Sequence, residues 1–468
     1  MNRKLPNDFF WGGSVSAHQT EGANTLEYGK GKSVYDVFGD KMGFPTWSIN
    51  AGIDTYHRYE EDFDLLKELG FNSYRFSIAW SRIFPNGDDQ VNEEGVAFYH
   101  RFIDALIERN IEPMICAYHF DLPFALLEKF GGWTSRETLK VFNSYTRFLI
   151  DEYGSKVKWW IPMNEQNGCK LAAALLGGHS KSDATFKKDL EQINYYLNLG
   201  AAEMIKYSHK KYPDNKAGVM INYCPIYPES AHPEDVLTAQ FQDEDANYNT
   251  LDVMIKGDYP ERNKAAWISK KIQPIIEVED LAKLTNIQPD FIGISYYSSQ
   301  MTNRSFEDYS FADALLESFA GKPSPLPKNT FLQRTEWDWT IDPVGLRGGL
   351  NKLSSRYKLP IFIMENGMGV VEQLNDEGTV TDSYRVDFFK SHVKQMMKAI
   401  LDDGVNCIGY QTWAPIDILS SRGEMKKRYG FIYVDRDDDS IGTMNRIKKE
   451  SFTWFKDLIR SKGGLVDE

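Results

Sequence analysis

Eight short apolar runs punctuate the chain, separated by stretches with a helical period. The runs are "DFFWGGS" (8–14), "NSYRFSIAW" (72–80), "EPMICAYH" (112–119), "KWWIPMNE" (158–165), "KAGVMINY" (216–223), "DFIGISYY" (290–297), "PIFIMENG" (360–367) and "CIGYQTWA" (407–414). Near-continuous apolar, β-branched and aromatic runs of this length suit parallel strands buried on both faces. Between them, "GVAFYHRFIDALIERN" sets Tyr99, Phe102, Ile103, Leu106 and Ile107 on one stripe, as a helix with one buried face requires. In "WTSRETLKVFNSYTRFLIDEYG", Thr134 and Glu137 have the spacing of a capping box, and Gly154 stands where a helix would stop. "YEEDFDLLKELG" likewise ends on Gly70. Eight strand–helix units predict an α/β fold, a single (β/α)8 barrel over residues 1–468. The stretches 224–289 and 298–359 are longer than one connection needs, so long inserted loops are expected there. A doubly wound open sheet is the alternative. The lack of a Gly-rich phosphate loop after the first run counts against its nucleotide-binding forms.

Composition narrows the function. A net charge of −13 argues against a nucleic-acid or anionic-membrane partner. No apolar run is long enough to span a bilayer. The start, "MNRKLPNDFFWGG", lacks the apolar core of a secretory signal. Cys116, Cys169, Cys224 and Cys407 are widely spaced, in or beside apolar runs. They are expected to be free buried thiols in a reducing, cytoplasmic compartment. The aromatic share of 14% supplies rings that could hold a sugar, although a large core uses the same residues.

Chemistry in such barrels sits at the C-terminal ends of the strands. There the chain has Gln19 shortly after the first run, Arg75 within the second and His119 ending the third. Asn164 and Glu165 end the fourth, Tyr296 and Tyr297 the sixth, Glu365 and Asn366 the seventh, and Trp413 the eighth. Two carboxylates arriving in one mouth from different strands suit glycosidic bond cleavage. One, kept protonated, gives a proton to the leaving oxygen; the other, ionised, attacks the anomeric carbon or activates water. A single strand-end Glu would more often pair with a basic residue at the rim. Two, each beside an Asn and among aromatics, favour catalysis. Arg75 is costly inside a strand unless paired; it is expected to orient Glu365 and keep it ionised. His119 is expected to bind a sugar hydroxyl. No metal-ligand spacing appears, so no metal and no other cofactor is expected.

The motifs "FFWGGSVSAHQTEGA", "GFNSYRFSIAWSRIFP", "AYHFDLP", "WWIPMNEQN", "DFIGISYY", "IDPVGLRGGLNKL" and "PIFIMENGMG" together resemble glycoside hydrolase family 1, the retaining β-glycosidases, from about residue 6 to residue 460. The resemblance implies that Glu165 is the acid/base and Glu365 the nucleophile. It implies that Gln19, His119 and Asn164 hold the sugar, that Arg75 and Tyr297 contact the nucleophile, and that Trp413 is an aromatic platform. The chain departs from the family pattern at Pro162 and Gln166 around the acid/base, at Ser295, at Met364 before the nucleophile, and at Phe120.

The segment after the eighth run, "WAPIDILSSRGEMKKRYGFIYVDRDD" (413–438), bears on the sugar. Aligned on Asp417, the glutamate that binds sugar hydroxyls in plain β-glucosidases becomes Ser420, and the following Trp becomes Ser421. Lys427 and Tyr429 follow. Hydroxyl, ammonium and phenol together suit a phosphate. The segment is similar to that of the 6-phospho-β-glycosidases, in which a Ser, a Lys and a Tyr hold the 6-phosphate. Ser420 and Ser421 both remain candidates for the Ser. The missing Trp tilts the reading toward a gluco-configured, phosphorylated β-glycoside. The alternatives are a 6-phospho-β-galactosidase, an unphosphorylated-β-glucoside hydrolase, and a non-catalytic barrel that binds sugar phosphates. A Schiff-base aldolase would need a Lys at a strand end, and none of the eight runs ends on one. Aglycone, self-association into a homo-oligomer and transport partner are left open.

Overall fold

The computed structural model describes residues 4–23, 26–41, 52–88, 90–179, 184–310, 312–314, 317 and 322–467. Each of the eight apolar runs forms a strand. They are β1 (Phe10–Ser14), β2 (Ser73–Ser77), β3 (Glu112–Tyr118), β4 (Trp159–Met163), β5 in two pieces (Lys216–Ala217 and Val219–Asn222), β6 (Ile292–Tyr296), β7 (Ile361–Asn366) and β8 (Cys407–Trp413). Neighbours pair in parallel from β1 round to β8, and β8 pairs back onto β1. The sheet thus closes into the expected barrel, which protects its edges. The ring has one thin seam: β4 meets β5 through two residue pairs only, Trp159 with Lys216 and Trp160 with Ala217.

Alternation along the strands sorts side chains into two cores. Met114, Cys116, Ile161, Met220, Phe291, Phe362 and Met364 pack together inside the barrel and fill its lower half. Their strand neighbours, such as Ile115, Ile221, Ile361 and Ile363, join the larger core between the sheet and its helices. Met364 therefore has a place in the barrel plug. Pro162 is accommodated because it lies past the last β4–β5 pair and is passed over in the pairing with β3. All four cysteines are free and buried.

The helices follow their sequence signals with small corrections. Glu93–Glu108 buries Tyr99, Phe102, Ile103 and Leu106, but Ile107, one position round at the edge of the stripe, is exposed. Thr55–Leu69 ends on Gly70 in the left-handed conformation, which costs glycine little. Arg136–Tyr153 is capped by Ser135, whose Oγ accepts from the Glu137 amide at 3.2 Å. Thr134 cannot cap it, because it closes the preceding 3₁₀ turn and donates to the Gly131 carbonyl at 3.0 Å. Gly154 ends that helix in a right-handed conformation; its bare Cα makes room for the Tyr212 ring, 2.6 Å from where a Cβ would stand. The long connections hold structure of their own. Residues 224–289 form the helices Pro233–Asp243, Asn249–Lys256, Glu261–Lys270 and Val278–Leu284. In the second, Gln300–Thr302 pairs with Ile226–Pro228 of the first, and Pro343–Tyr357 returns to β7.

Candidate active site

Regular alternation along β7 would point Glu365 away from the barrel axis, opposite to Met364. A bulge prevents this. Ile363 pairs with Ile294 and Glu365 with Ser295, so Met364 is an extra residue without a partner on β6. Bulges re-aim side chains in this way. Ser14 Oγ donates to the Met364 carbonyl at 2.5 Å. Glu365 is then turned into the mouth, buried to 3% exposure, where Arg75 Nη1 reaches Oε1 at 2.5 Å and Tyr297 OH donates to Oε2 at 2.7 Å. Arg75 is fully buried, and its Nη2 donates to Asn164 Oδ1 at 2.5 Å. A buried carboxylate with a guanidinium on one oxygen and a phenol on the other is held in one orientation.

Glu165 has no such cation. It follows β4 at φ 39°, in the left-handed region, and precedes the helix Gln166–Leu176. An ordinary residue held there costs energy, and such strain clusters at functional sites. Its Oε1 accepts from Asn222 Nδ2 at 3.2 Å. Asn222 ends β5, and its backbone is gripped on both sides by Asn167. Asn167 Oδ1 accepts from the Asn222 amide at 2.8 Å, and Asn167 Nδ2 donates to the Asn222 carbonyl at 2.8 Å. Burial first, and then the charge on Glu365, push the Glu165 carboxyl up to about 7, with Ser295, Asn222 and Arg75 pulling the other way. One cation serving two carboxylates leaves the farther one to keep its proton. That is the split of roles acid/base catalysis needs near neutral pH. Sequence reasoning missed Asn222, the residue the fifth strand delivers. Its signal was the polar end of "KAGVMINY".

Beside β4, after β3, the His119 ring stacks on Trp413 at the end of β8, centroids 5.7 Å apart. Burial, Arg75 and His18 hold its pKa well below the usual range, so it is neutral, and its Nδ1 is buried without a hydrogen-bond partner. Gln19 is fixed by Ser16 Oγ at 2.6 Å and donates to the Leu419 carbonyl at 2.6 Å. That bond joins the end of β1 to the loop after β8.

In that loop the four phosphate candidates part company. Ser420 is buried, and its Oγ accepts from the amides of Arg422 at 3.2 Å and Glu424 at 3.1 Å; Ser421 is exposed. Lys427 is buried to 6% exposure, and no carboxylate among the described residues forms an ion pair with it. Its Nζ sits instead among rings, 3.9 Å from the centre of Trp339, 4.8 Å from Trp337 and 5.5 Å from Tyr429. Burial pushes its pKa down to about 7, Glu424 opposing. Burial, and then the Glu424 and Glu365 carboxylates, push the Tyr429 hydroxyl well above its usual pKa, so it stays protonated. Trp337 and Trp339 come from the second insertion and were not singled out from the sequence. Beneath the loop lies a buried ionic network. Arg385 donates to the carbonyls of Tyr429 at 2.7 Å and Met368 at 3.1 Å, and pairs with Glu372 and Asp382. Lys449 bridges Glu372 and Asp417.

Among the described residues no group of three or more His, Cys, Asp or Glu could hold a metal ion, and no helix is long and apolar enough to cross a membrane. The model of glycosyl hydrolase family 1 matches residues 1–464. An aryl-phospho-β-D-glucosidase of Bacillus subtilis (strain 168) is 39% identical over 98% of this chain and 98% of its own. A 6-phospho-β-glucosidase of Clostridium longisporum is 39% identical over 99% of this chain and 98% of its own. A family 1 β-glucosidase from Thermotoga maritima superposes with a TM-score of 0.86 at 31% identity, covering 98% of both chains. With the family model matched over residues 1–464 and relatives 39% identical over nearly the full length, the chain belongs to glycosyl hydrolase family 1.

Proposed function

We propose that this chain hydrolyses 6-phospho-β-glucosides, with retention of configuration, to glucose 6-phosphate and an aglycone. Glu365 attacks the anomeric carbon while Glu165 passes its proton to the departing glycosidic oxygen. Glu165, now ionised, then takes a proton from the water that cleaves the glycosyl–Glu365 ester. Arg75 and Tyr297 hold the two oxygens of Glu365 in place, and Asn164 is held by the same guanidinium at the edge of the sugar site. Gln19 and His119 meet sugar hydroxyls, and Trp413 floors the ring. Lys427 and Tyr429, with Ser420 or Ser421, take the 6-phosphate. The whole chain acts as one catalytic domain, and its four unpaired thiols suit the cytoplasm.

The observation that carries the phosphate reading is the buried ammonium of Lys427, ringed by aromatics and, among the described residues, without a carboxylate in an ion pair with it. A cation so placed lacks a counter-ion that the substrate would bring. The names of the B. subtilis and C. longisporum relatives support the same substrate class. The test is turnover of 4-nitrophenyl β-glucoside, its 6-phosphate and the 6-phospho-β-galactoside. The 6-phosphoglucoside should have the highest specificity constant, and proton NMR should find the β-anomer formed first. Preference for the unphosphorylated glucoside, or binding without turnover, would sink the proposal.

A further inference from the structure

The stem of Lys427 lies in a slot cut by one glycine. The short strand Val370–Val371 runs antiparallel to Lys427–Arg428, with Val371 opposite Lys427. This clasp ties the chain leaving Glu365 to the chain carrying the ammonium. Just before it stands Gly369, buried against the lysine. A Cβ on Gly369 would come within 2.5 Å of Lys427 Cγ and 2.7 Å of its Cε. Carbons that are not bonded settle about 3.5–4.0 Å apart, so the stem would have to move. The Trp339 and Trp337 rings already crowd the ammonium. The backbone of Lys427 is held by the clasp, and the Arg428 and Tyr429 carbonyls after it are held by Arg385.

We propose that Gly369 is a specificity-determining residue of the phosphate site. Its missing side chain leaves the slot that sets the Lys427 ammonium where a sugar 6-phosphate meets it. The proposal rests on the reading of Lys427 as a phosphate ligand. Gly369 acts through Lys427, as a positioning residue. The slot belongs to the same stretch of chain as Glu365. Phosphate recognition and nucleophile are therefore spaced by a few residues of fixed backbone, and a phosphate seated on Lys427 brings the anomeric carbon into register.

The test compares specificity constants of wild type, Gly369→Ala, Lys427→Ala and the double variant on 4-nitrophenyl β-glucoside and its 6-phosphate. The phosphorylated-to-unphosphorylated ratio should fall about tenfold or more in Gly369→Ala. In the Lys427→Ala background the same change should move the ratio less than about twofold, because the colliding stem is gone. A ratio untouched by Gly369→Ala, or an equal fall in both backgrounds, overturns the proposal. Should Gly369→Ala fail to fold, thermal unfolding of the double variant decides. A recovered fold supports the slot, and a chain still unfolded overturns it. Wild type that prefers the unphosphorylated glucoside overturns the proposed function instead, before any variant is compared.

Discussion

At Glu365 the protein meets a buried charge with a cation of its own; at Lys427 no carboxylate among the described residues does the same. The carboxylate is buried against a guanidinium and a phenol, so its partners and its aim are set before substrate arrives. The ammonium is buried too and faces aromatic rings, and it is that burial that lowers its pKa to about 7, so its proton is weakly held. The two stations also differ in their supports. Glu365 is placed by strand register and a bulge, whereas Lys427 is placed by a clasp, a glycine slot and an ionic network under the loop. A charge matched internally serves chemistry common to many substrates. A charge left unmatched selects the substrate that completes it.

The sharpest way to break this comparison is at the matched station. Glu365→Gln keeps the shape and removes the ionised attacker, and turnover of every glycoside should be abolished. Normal rates in a standard chromogenic assay would remove Glu365 from the mechanism. Glu165→Ala should cost roughly 10²–10⁴-fold on substrates with poor leaving groups. The loss should be much smaller on activated aryl glycosides, where added azide should restore deglycosylation. Equal losses across leaving groups would deny Glu165 the acid role.

At the unmatched station the effect should be smaller and selective. Lys427→Ala should lose about one to two orders of magnitude in kcat/KM on 6-phosphorylated substrates, since a charge-assisted hydrogen bond is worth roughly 1.5–3 kcal/mol. The pH profile sharpens the point. Glu165, raised to about 7, must be protonated to act, so both substrate forms should lose kcat/KM as pH rises through that value. Lys427, lowered to about 7, loses its charge over the same range, so the phosphorylated form should fall more steeply in wild type. In Lys427→Ala the two profiles should become parallel. The smallest effect is expected at Asn222. Its amide favours the charged form of Glu165, so Asn222→Ala should raise that pKa and move the alkaline limb upward by up to about one pH unit. A purely structural role would lower the rate and leave the limb in place.

Most of the barrel was legible because a strand buried on both faces writes itself as an unbroken apolar run, and the eight runs match the eight strands. Glu165 and Glu365 could be picked out because a charge that closes such a run is conspicuous. The bulge at Met364 was not visible, since an extra residue changes no residue type and is defined only by pairing with β6. The aromatic ring around Lys427 was equally hidden: Trp337 and Trp339 lie far upstream, in a connection with no regular period. Thr134 and Ser135 show the limit at one-residue scale. Both can cap, and the 3₁₀ turn before the helix decides between them.

The seam between β4 and β5 gives the barrel a soft side. Two residue pairs join these strands, where β2 and β3 share five. Backbone amides around Ala217 to Val219 are thus the barrel positions most ready to exchange with solvent through local opening. Glu165 follows one lip of that seam and Asn222 ends the other, while Arg75 and Glu365 stand on strands with longer ladders. Breathing of the ring therefore disturbs the proton donor and spares the attacking oxygen. Slow fluctuations of the scaffold should be felt as fluctuations in acidity, with the geometry of attack left untouched.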